Sequence, residues 1–277
     1  MPGHRRRRGR TALVAAIAAG GLAAAVAGGV ALATDAPATE SGRPDTARVL
    51  AAPEAAGEEQ IAETRQISGT FDGENKRFTG AGALGGDGQE EGQDPIFELA
   101  DGAVLKNVIL GAPAADGIHC LGSCTLENVF WEDVGEDAAT FLGTSENATY
   151  VVSGGGATKA EDKVFQFNGA GTLTVRDFEV SDFGKLVRSC GNCSEQVQRD
   201  VVLENITVTA PGDELVGINS NFGDTARLSG ITIVGDPDRE IVPCQKFEGV
   251  TDGEPEELDS EADGVNCVFQ ESDITFR

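Results

Sequence analysis

Large aromatic side chains, methionine and positive charge are all scarce in this chain. Its 277 residues include one Met, one Trp and one Tyr, and 21 Lys and Arg stand against 46 Asp and Glu, a formal net charge of −25. A surface this acidic does not neutralise phosphates, so we expect no nucleic-acid partner. Thirty-seven glycines indicate many tight turns around an aliphatic core rather than a helical bundle. The composition therefore favours an all-β fold.

The N-terminal region is typical of an export signal. Five arginines occur in the first ten residues, and an uncharged Ala/Val/Leu/Gly run follows over 11–33, ending in an A-x-A site. We predict a secretory signal peptide at 1–33, a disordered Ala/Pro/Glu-rich linker at 34–60 and one domain at 61–277. A retained membrane anchor is the alternative, since 23 residues suffice to span. Once the signal is removed, we expect a secreted, extracellular monomer with no stable membrane association.

Six cysteines occur in a chain that we expect to reach an oxidising compartment, where disulfides are the default. Local spacing favours Cys120 with Cys124, Cys190 with Cys193, and Cys244 with Cys267. A zinc site made from the first four cysteines and a redox Cys-Gly-Asn-Cys motif are alternatives. Export and the lack of a βαβ pattern disfavour both.

Short segments of alternating apolar and polar residues recur with a period near 25 residues, each followed by Gly-containing turns. Their anchors are Leu105, Leu126, Tyr150, Val175, Leu203 and Leu228. A unit this short cannot bury its own apolar side, so neighbouring units must stack into a solenoid. Because no helical period accompanies the repeats, we predict a parallel β-helix. Asn107, Asn128 and Asn205 share one repeat position, where we expect stacked side chains in a structural role.

Charged residues begin a second strand that follows each anchor by ten to thirteen residues. Equal offsets mean equal positions around a solenoid whose coils lie about 4.8 Å apart. We therefore predict one outer column with acids at one end and cations at the other: Asp116, Glu136, Asp137, Lys163, Lys185 and Arg188. Three carboxylates without matching His or Cys suit a hard cation, and calcium is the natural choice outside the cell. The alternative is a set of solvated surface charges aligned by chance.

Ordered sequence blocks at 69–73, 91–97, 112–120, 132–140, 162–166, 184–193 and 217–221 resemble those of the secreted pectate lyases of polysaccharide lyase family 3. The resemblance implies a right-handed, single-stranded parallel β-helix. It also implies calcium-dependent β-elimination of polygalacturonate, (1→4)-α-D-galacturonan, to 4,5-unsaturated oligogalacturonides. One departure is Val187, where the family leads us to expect an aromatic residue that packs against a sugar.

Site roles also follow from the resemblance. It implies that the calcium ligands are Asp116, Glu136 and Asp137, that the basic catalytic group is Lys163, Lys185 and Arg188, and that Glu91, Lys185 and Arg188 contact the substrate. His119, next to Cys120, is the one histidine outside the signal region, and we expect it to support the site rather than to react.

The chemistry of elimination suggests how the cations divide the work. Loss of the C5 proton of a uronate leaves an enolate-like carbanion, which calcium and nearby cations stabilise. The base must first lose its own proton, and lysine does so more readily than arginine. We therefore expect Lys163 to be the base, with Arg188 the second candidate, and activity to rise into alkaline pH.

Two alternatives to a lyase stay open at this point. A polygalacturonase-type hydrolase would use paired acids on a β-helix without calcium. A non-catalytic wall-binding β-helix would need only the linker and the stack. Residues 236–277 show no clear repeat, and we expect them to cover one end of the solenoid, where strand edges are otherwise open.

Overall fold

The computed structural model describes residues 52–86, 88–89 and 92–277. The predicted signal peptide and most of the predicted linker lie outside these residues. The described chain forms strands and three single-turn 3-10 helices, at Gly82–Leu84, Ser220–Phe222 and Glu271–Asp273. The strands are β1 (Glu58–Ile61), β2 (Arg65–Ile67), β3 (Thr70–Gly80), β4 (Phe97–Leu99), β5 (Ala103–Leu110), β6 (Ile118–Cys120), β7 (Cys124–Trp131), β8 (Ala139–Phe141), β9 (Thr149–Phe167), β10 (Gly171–Arg176), β11 (Glu179–Ser189), β12 (Arg199–Glu204), β13 (Thr207–Asn219), β14 (Thr225–Ser229), β15 (Ile231–Val234), β16 (Gln245–Glu248), β17 (Glu256–Glu257), β18 (Cys267–Val268) and β19 (Ile274–Phe276). No helix in this part of the chain is long and apolar enough to cross a membrane.

The strands pair in parallel along three ladders, and the longer strands bend to join more than one. Sheet 1 contains the first halves of β3, β5, β7 and β9, followed by β10, β12, β14 and β18. Sheet 2 contains β1, the later parts of β3, β5 and β7, the middle of β9, the starts of β11 and β13, then β15 and β19. Sheet 3 contains β2, β4, β6, β8, the ends of β9, β11 and β13, and β16. This arrangement confirms the predicted parallel β-helix.

Apolar side chains from the ladders fill the interior of the solenoid. β10 and β12 alternate buried and part-exposed residues, as strands with one face in a core do. The scarce aromatic residues are concentrated inside: Tyr150 lies 5.0 Å from Phe141 between ring centroids, and Trp131 lies 5.8 Å from Phe165. All four rings are fully buried. Each such buried apolar side chain contributes about 1.5–3 kcal/mol to folding.

One predicted repeat anchor is displaced. The register pairs Leu126 with Val152 and Val152 with Val175, whereas Tyr150 pairs with Cys124. The anchor of this weak repeat is therefore Val152, and the choice of Tyr150 was wrong. Both residues point into the core because they lie two positions apart on a strand, so the alternation alone did not distinguish them.

The predicted stacking of Asn side chains between coils is confirmed for Asn107 and Asn128 but not for Asn205. Asn107, Asn128 and Asn205 adopt left-handed backbone conformations with φ between 52° and 55°, which Asn tolerates better than most residues. The Asn128 amide donates to Asn107 Oδ1 at 3.4 Å, so these two side chains do bridge neighbouring coils. The Asn205 amide donates instead to Asp177 Oδ1 at 3.3 Å, because the equivalent position in the preceding coil is an aspartate.

All three predicted disulfides form, Cys120–Cys124, Cys190–Cys193 and Cys244–Cys267, and no free cysteine is left for a thiolate zinc site. The C-terminal residues also behave as expected. Strands β18 and β19 pair in parallel with β14 and β15, and β16 pairs with β13. Residues 245–276 thus cover the strand edges that the last full coil would otherwise expose.

Candidate active site

Strand pairing in sheet 3 places charged residues at one register position on successive coils. Lys163 on β9 pairs with Lys185 on β11, which in turn pairs with Glu214 on β13. Asp116 and Asp137 each lie two residues before a strand of this ladder, and Lys163 lies two residues before Phe165, where the pairing of β9 with β8 begins. We call Asp116, Asp137, Lys163, Lys185 and Glu214 the charge column. Its members follow one another at the coil spacing of about 4.8 Å.

Two glycines let the coils approach closely at the charge column. Gly117 has φ of +52°, and a Cβ there would lie 2.2 Å from the Ala138 carbonyl oxygen. A Cβ on Gly184 would lie 2.3 Å from the Asp162 carbonyl oxygen. Any larger residue at either position would push the neighbouring coil away. These glycines therefore help bring the charged residues beside them within electrostatic range of one another.

Three buried carboxylates form the acidic end of the site. Asp116, Glu136 and Asp137 are only 7%, 6% and 5% exposed. The ring nitrogen Nε2 of His119 lies 2.7 Å from Asp116 Oδ2, so His119 supports that carboxylate. Burial raises the pKa of Asp137 to about 8, and repulsion from Asp116 and Glu136 adds to the rise, whereas the charge of Lys163 opposes it. The acidic end is therefore a place where a cation would be strongly stabilised.

The donor chemistry of this end suits calcium. Within the described residues, no three His, Cys, Asp or Glu side chains are grouped closely enough to coordinate one ion. The buried Oδ1 atoms of Asp116 and Asp137 nevertheless accept no hydrogen bond. Buried acceptors without donors are costly unless a cation satisfies them. The residues fit an oxygen-bound ion, and their assignment as ligands stays a prediction.

Asp162 bridges the two lysines of the charge column. Its carboxylate accepts from Lys163 Nζ at 2.5 Å and from Lys185 Nζ at 3.3 Å. Lys163 Nζ also lies 3.7 Å from Asp137 Oδ1, and Lys185 Nζ lies 4.0 Å from Glu214 Oε1. Burial acts to raise the pKa of Asp162. The hydrogen bond and charge of Lys163, and then those of Lys185, outweigh burial and lower this pKa. Asp162 thus stays ionised and holds the ammonium groups of both lysines next to its carboxylate.

Arg188 lies beside the charge column and not in it. Its register partner on β9 is Gln166, three residues beyond Lys163. The guanidinium carbon lies 4.0 Å from the centroid of the Phe247 ring, and Nη1 donates to Asn219 Oδ1 at 3.1 Å. Burial lowers the pKa of Arg188 to about 10, against the opposing charges of Glu214 and Asp224. Arg188 is therefore a rigidly held cation that loses its proton more readily than an exposed arginine.

An open groove of about 460 Å³ connects these cations. Its lining residues are Asp162, Lys163, Gln166, Lys185, Arg188, Gly191, Asn192, Phe247, Glu254, Pro255 and Glu257. One wall comes from β9 and β11, and the other comes from the C-terminal residues that follow β13. The groove brings together all three predicted catalytic cations.

Two of the sequence expectations have a different outcome. The predicted contact residue Glu91 lies outside the described residues, so its role stays a prediction. Val187 is fully buried between Phe165 and Val216 in the ladder. The expectation that this position contacts a sugar was wrong, because its side chain faces the core.

Sequence reasoning missed Asp162, Glu214, Asn219 and Phe247. The repeat offset contained a signal for Glu214, which follows the anchor Leu203 by eleven residues, as Asp116 follows Leu105. No comparable signal marks Asn219 or Phe247, because Phe247 reaches Arg188 only through the fold of the C-terminal residues.

Comparison with known proteins gives one consistent result. A family profile described as pectate lyase matches residues 49–254. A probable pectate lyase E of Neosartorya fischeri is 44% identical over 223 residues, 79% of this chain and 84% of that protein. Pectate lyase H of Emericella nidulans is 46% identical over 224 residues, 79% of this chain and 83% of that protein.

Solved structures agree with the sequence matches. Pectate lyase Pel3 from Pectobacterium carotovorum superposes with a TM-score of 0.70 at 31% identity, covering 84% of this chain and 73% of that one. Pectate lyase PelI from Erwinia chrysanthemi, in complex with tetragalacturonic acid, superposes with a TM-score of 0.66 at 31% identity over 79% of this chain and 70% of that one.

Proposed function

This chain belongs to the pectate lyase family and is a lyase, and from that premise we propose that it cleaves polygalacturonate by calcium-dependent β-elimination. The products would be 4,5-unsaturated oligogalacturonides. The observation that carries this proposal is the charge column, in which buried acids adjoin two lysines with Arg188 beside them. Family membership favours this chemistry over the hydrolase and the non-catalytic wall-binding protein that the sequence left open.

The substrate follows from the charges that line the groove. Lys163, Lys185 and Arg188 face one opening, and the scarcity of Trp and Tyr leaves few aromatic platforms for a neutral sugar. A polymer with a carboxylate on every sugar can be held by such cations. The relative PelI was solved with tetragalacturonic acid, which supports the same class of ligand here.

We assign calcium to Asp116, Glu136 and Asp137, whose carboxylate oxygens would hold the ion. Support comes from their burial and from the unbonded Oδ1 atoms of Asp116 and Asp137. When bound there, the ion would withdraw electron density from a uronate carboxylate and so acidify its C5 proton. Lys163, next along the charge column, would add a positive charge that helps to neutralise the same carboxylate.

The base is assigned to Arg188, the second candidate of the sequence analysis. Lys163 lies between the carboxylates of Asp137 and Asp162, which stabilise its protonated form, whereas burial weakens the hold of Arg188 on its proton. In its unprotonated form Arg188 would take the C5 proton. The C5–H electrons then form the C4–C5 double bond, the C4–O bond breaks, and the departing glycosidic oxygen takes a proton from water.

Export and oligomeric state are part of the same proposal. We infer that residues 1–33 are removed on secretion and that the mature chain acts outside the cell as a monomer. Three disulfides in a described domain of this size support an oxidising destination.

The test follows the ultraviolet absorbance of unsaturated uronide during digestion of polygalacturonate, with mass spectrometry of the products. We expect absorbance to grow and product masses to lack added water. Arg188→Gln should reduce the rate by about 100-fold or more. Lys159→Gln, a change to an exposed lysine on the same strand as Lys163, should leave the rate within about twofold. Products that contain added water would show a hydrolase and overturn the proposal.

A further inference from the structure

Glu214 extends the charge column one coil beyond Lys185 and has no part in the proposed chemical step. It is only 6% exposed, and its Oε1 atom accepts no hydrogen bond. The nearest cation is Lys185, whose Nζ lies 4.0 Å from that oxygen. At this separation Lys185 is a counterion of Glu214 but does not form a close hydrogen bond with it. A small change in the nearby charge can therefore alter the protonation of Glu214.

Competing charges act on Glu214 from the elements packed around it. Lys185 and Arg188 on β11 favour its ionised form, whereas Glu257 on β17 and Asp213 on its own strand oppose it. Burial has the largest effect and raises the pKa of Glu214 to about 7. Its ionisation therefore changes within the pH range in which the enzyme can be assayed.

A bound galacturonate would add a negative charge next to the same cations. Lys185 and Arg188 line the groove, so a uronate carboxylate that pairs with them competes with Glu214 for their positive charge. Two carboxylates that share these cations repel each other, and the buried one is the one that water cannot stabilise. Protonation of Glu214 relieves this repulsion.

We propose that Glu214 is a positioning residue that competes with the substrate carboxylate for Lys185 and Arg188, so that galacturonate binding is coupled to proton uptake by Glu214. This inference rests on the proposed function, because it takes galacturonate as the ligand. Ionised Glu214 shares the charge of Lys185 with Asp162, and protonation of Glu214 leaves more of that charge to a carboxylate in the groove. Substrate affinity then falls as pH rises above 7.

The first measurement is KM for polygalacturonate between pH 7 and pH 9 at a fixed, saturating calcium concentration. If binding raises the pKa of Glu214 by about one unit from about 7, KM of the wild type rises about fivefold over this range. Glu214→Gln should have a lower KM that no longer changes with pH, whereas its kcat should still rise with pH, from a higher starting value because the Glu214 charge raises the pKa of Arg188. Asp213→Asn removes the weakest of the charges that oppose ionisation of Glu214, and its KM should still rise with pH as that of the wild type does.

The second measurement does not depend on catalysis. Calorimetric titration of trigalacturonate, in chelator at pH 8 and in two buffers of different ionisation enthalpy, counts the protons taken up on binding. We expect uptake by the wild type and by Asp213→Asn, and none by Glu214→Gln. A wild type that takes up no proton, or a Glu214→Gln variant with wild-type uptake and KM slope, would overturn the inference.

The calorimetry also separates this inference from the proposed function. If trigalacturonate binds with proton uptake but no unsaturated product forms from polygalacturonate, the role of Glu214 stands and the lyase proposal fails. Because the proton count of the wild type needs no variant, poor folding of Glu214→Gln would not remove the test.

Discussion

Removal of the Cys244–Cys267 disulfide should loosen the groove wall that holds Arg188 without unfolding the rest of the solenoid. The bridge spans 23 residues, a segment that carries Phe247 and the acidic lining residue Glu257. For a closed loop of this length, the chain-entropy estimate gives about 3 kcal/mol of stabilisation. In a solenoid each coil contacts only its neighbours, so most of that loss should fall on the last coil.

The assay compares Cys244→Ala/Cys267→Ala with Cys120→Ala/Cys124→Ala, which opens a loop of only four residues and should cost about 2 kcal/mol. Urea unfolding is followed by elimination activity and by the fluorescence of Trp131, which is fully buried in an earlier coil. For the 244/267 variant, activity should be lost at lower urea than the Trp131 signal, because Phe247 leaves Arg188 before the core opens.

Coincident loss of both signals would refute the reasoning that the C-terminal coil opens separately. Full activity in urea that exposes the last coil, as judged by hydrogen exchange of β16 and β18, would refute the role given to Phe247 in holding Arg188.

Further predictions follow from the same geometry. The kcat should rise about tenfold per pH unit from pH 7 to pH 9, because the unprotonated fraction of a group with a pKa of about 10 grows by that factor, and a flat kcat would count against Arg188 as the base. Lys185→Gln should raise KM by about tenfold or more through loss of a charge-assisted bond to the substrate; steady-state kinetics would show an unchanged KM if this is wrong. Gly117→Ala should lower the free energy of unfolding by about 1–3 kcal/mol, since it adds a Cβ 2.2 Å from a carbonyl at positive φ, and a melting temperature equal to that of the wild type would contradict this. Calcium at about 100 times its Kd should stabilise the fold by about 2.7 kcal/mol, detectable as a rise in Tm that chelator reverses.

Much of the architecture can be predicted from the sequence because the same pattern of apolar and turn residues recurs in each coil of a solenoid. A spacing near 25 residues, alternation around anchors such as Leu105 and Leu203, and the turn residues Asn107 and Asn128 all indicate the same stack. The weak repeat was placed two residues early, at Tyr150 rather than Val152, because both side chains point inward. Register, unlike periodicity, depends on hydrogen bonds between coils.

The site was predictable to the extent that it follows this repeat. The offset of about eleven residues from each anchor leads to Asp116, Asp137 and Lys163. The same offset from the anchor Leu203 leads to Glu214, but it was not applied to that coil. Phe247 was beyond such reasoning. It reaches Arg188 through an irregular C-terminal segment, where no period links sequence distance to position.

The most direct test of the central claim measures the calcium requirement of elimination for wild type, Asp137→Asn and the matched variant Asp133→Asn, whose carboxylate is partly exposed and pairs with Lys159. Unsaturated uronide absorbance should stop in chelator and return with calcium for the wild type and for Asp133→Asn. Asp137→Asn should need far more calcium for any activity. The central claim is that the acids and lysines of the charge column and the neighbouring Arg188 act together on one sugar. Absorbance that grows equally in chelator would contradict this claim. So would a calcium requirement of Asp137→Asn that equals that of Asp133→Asn.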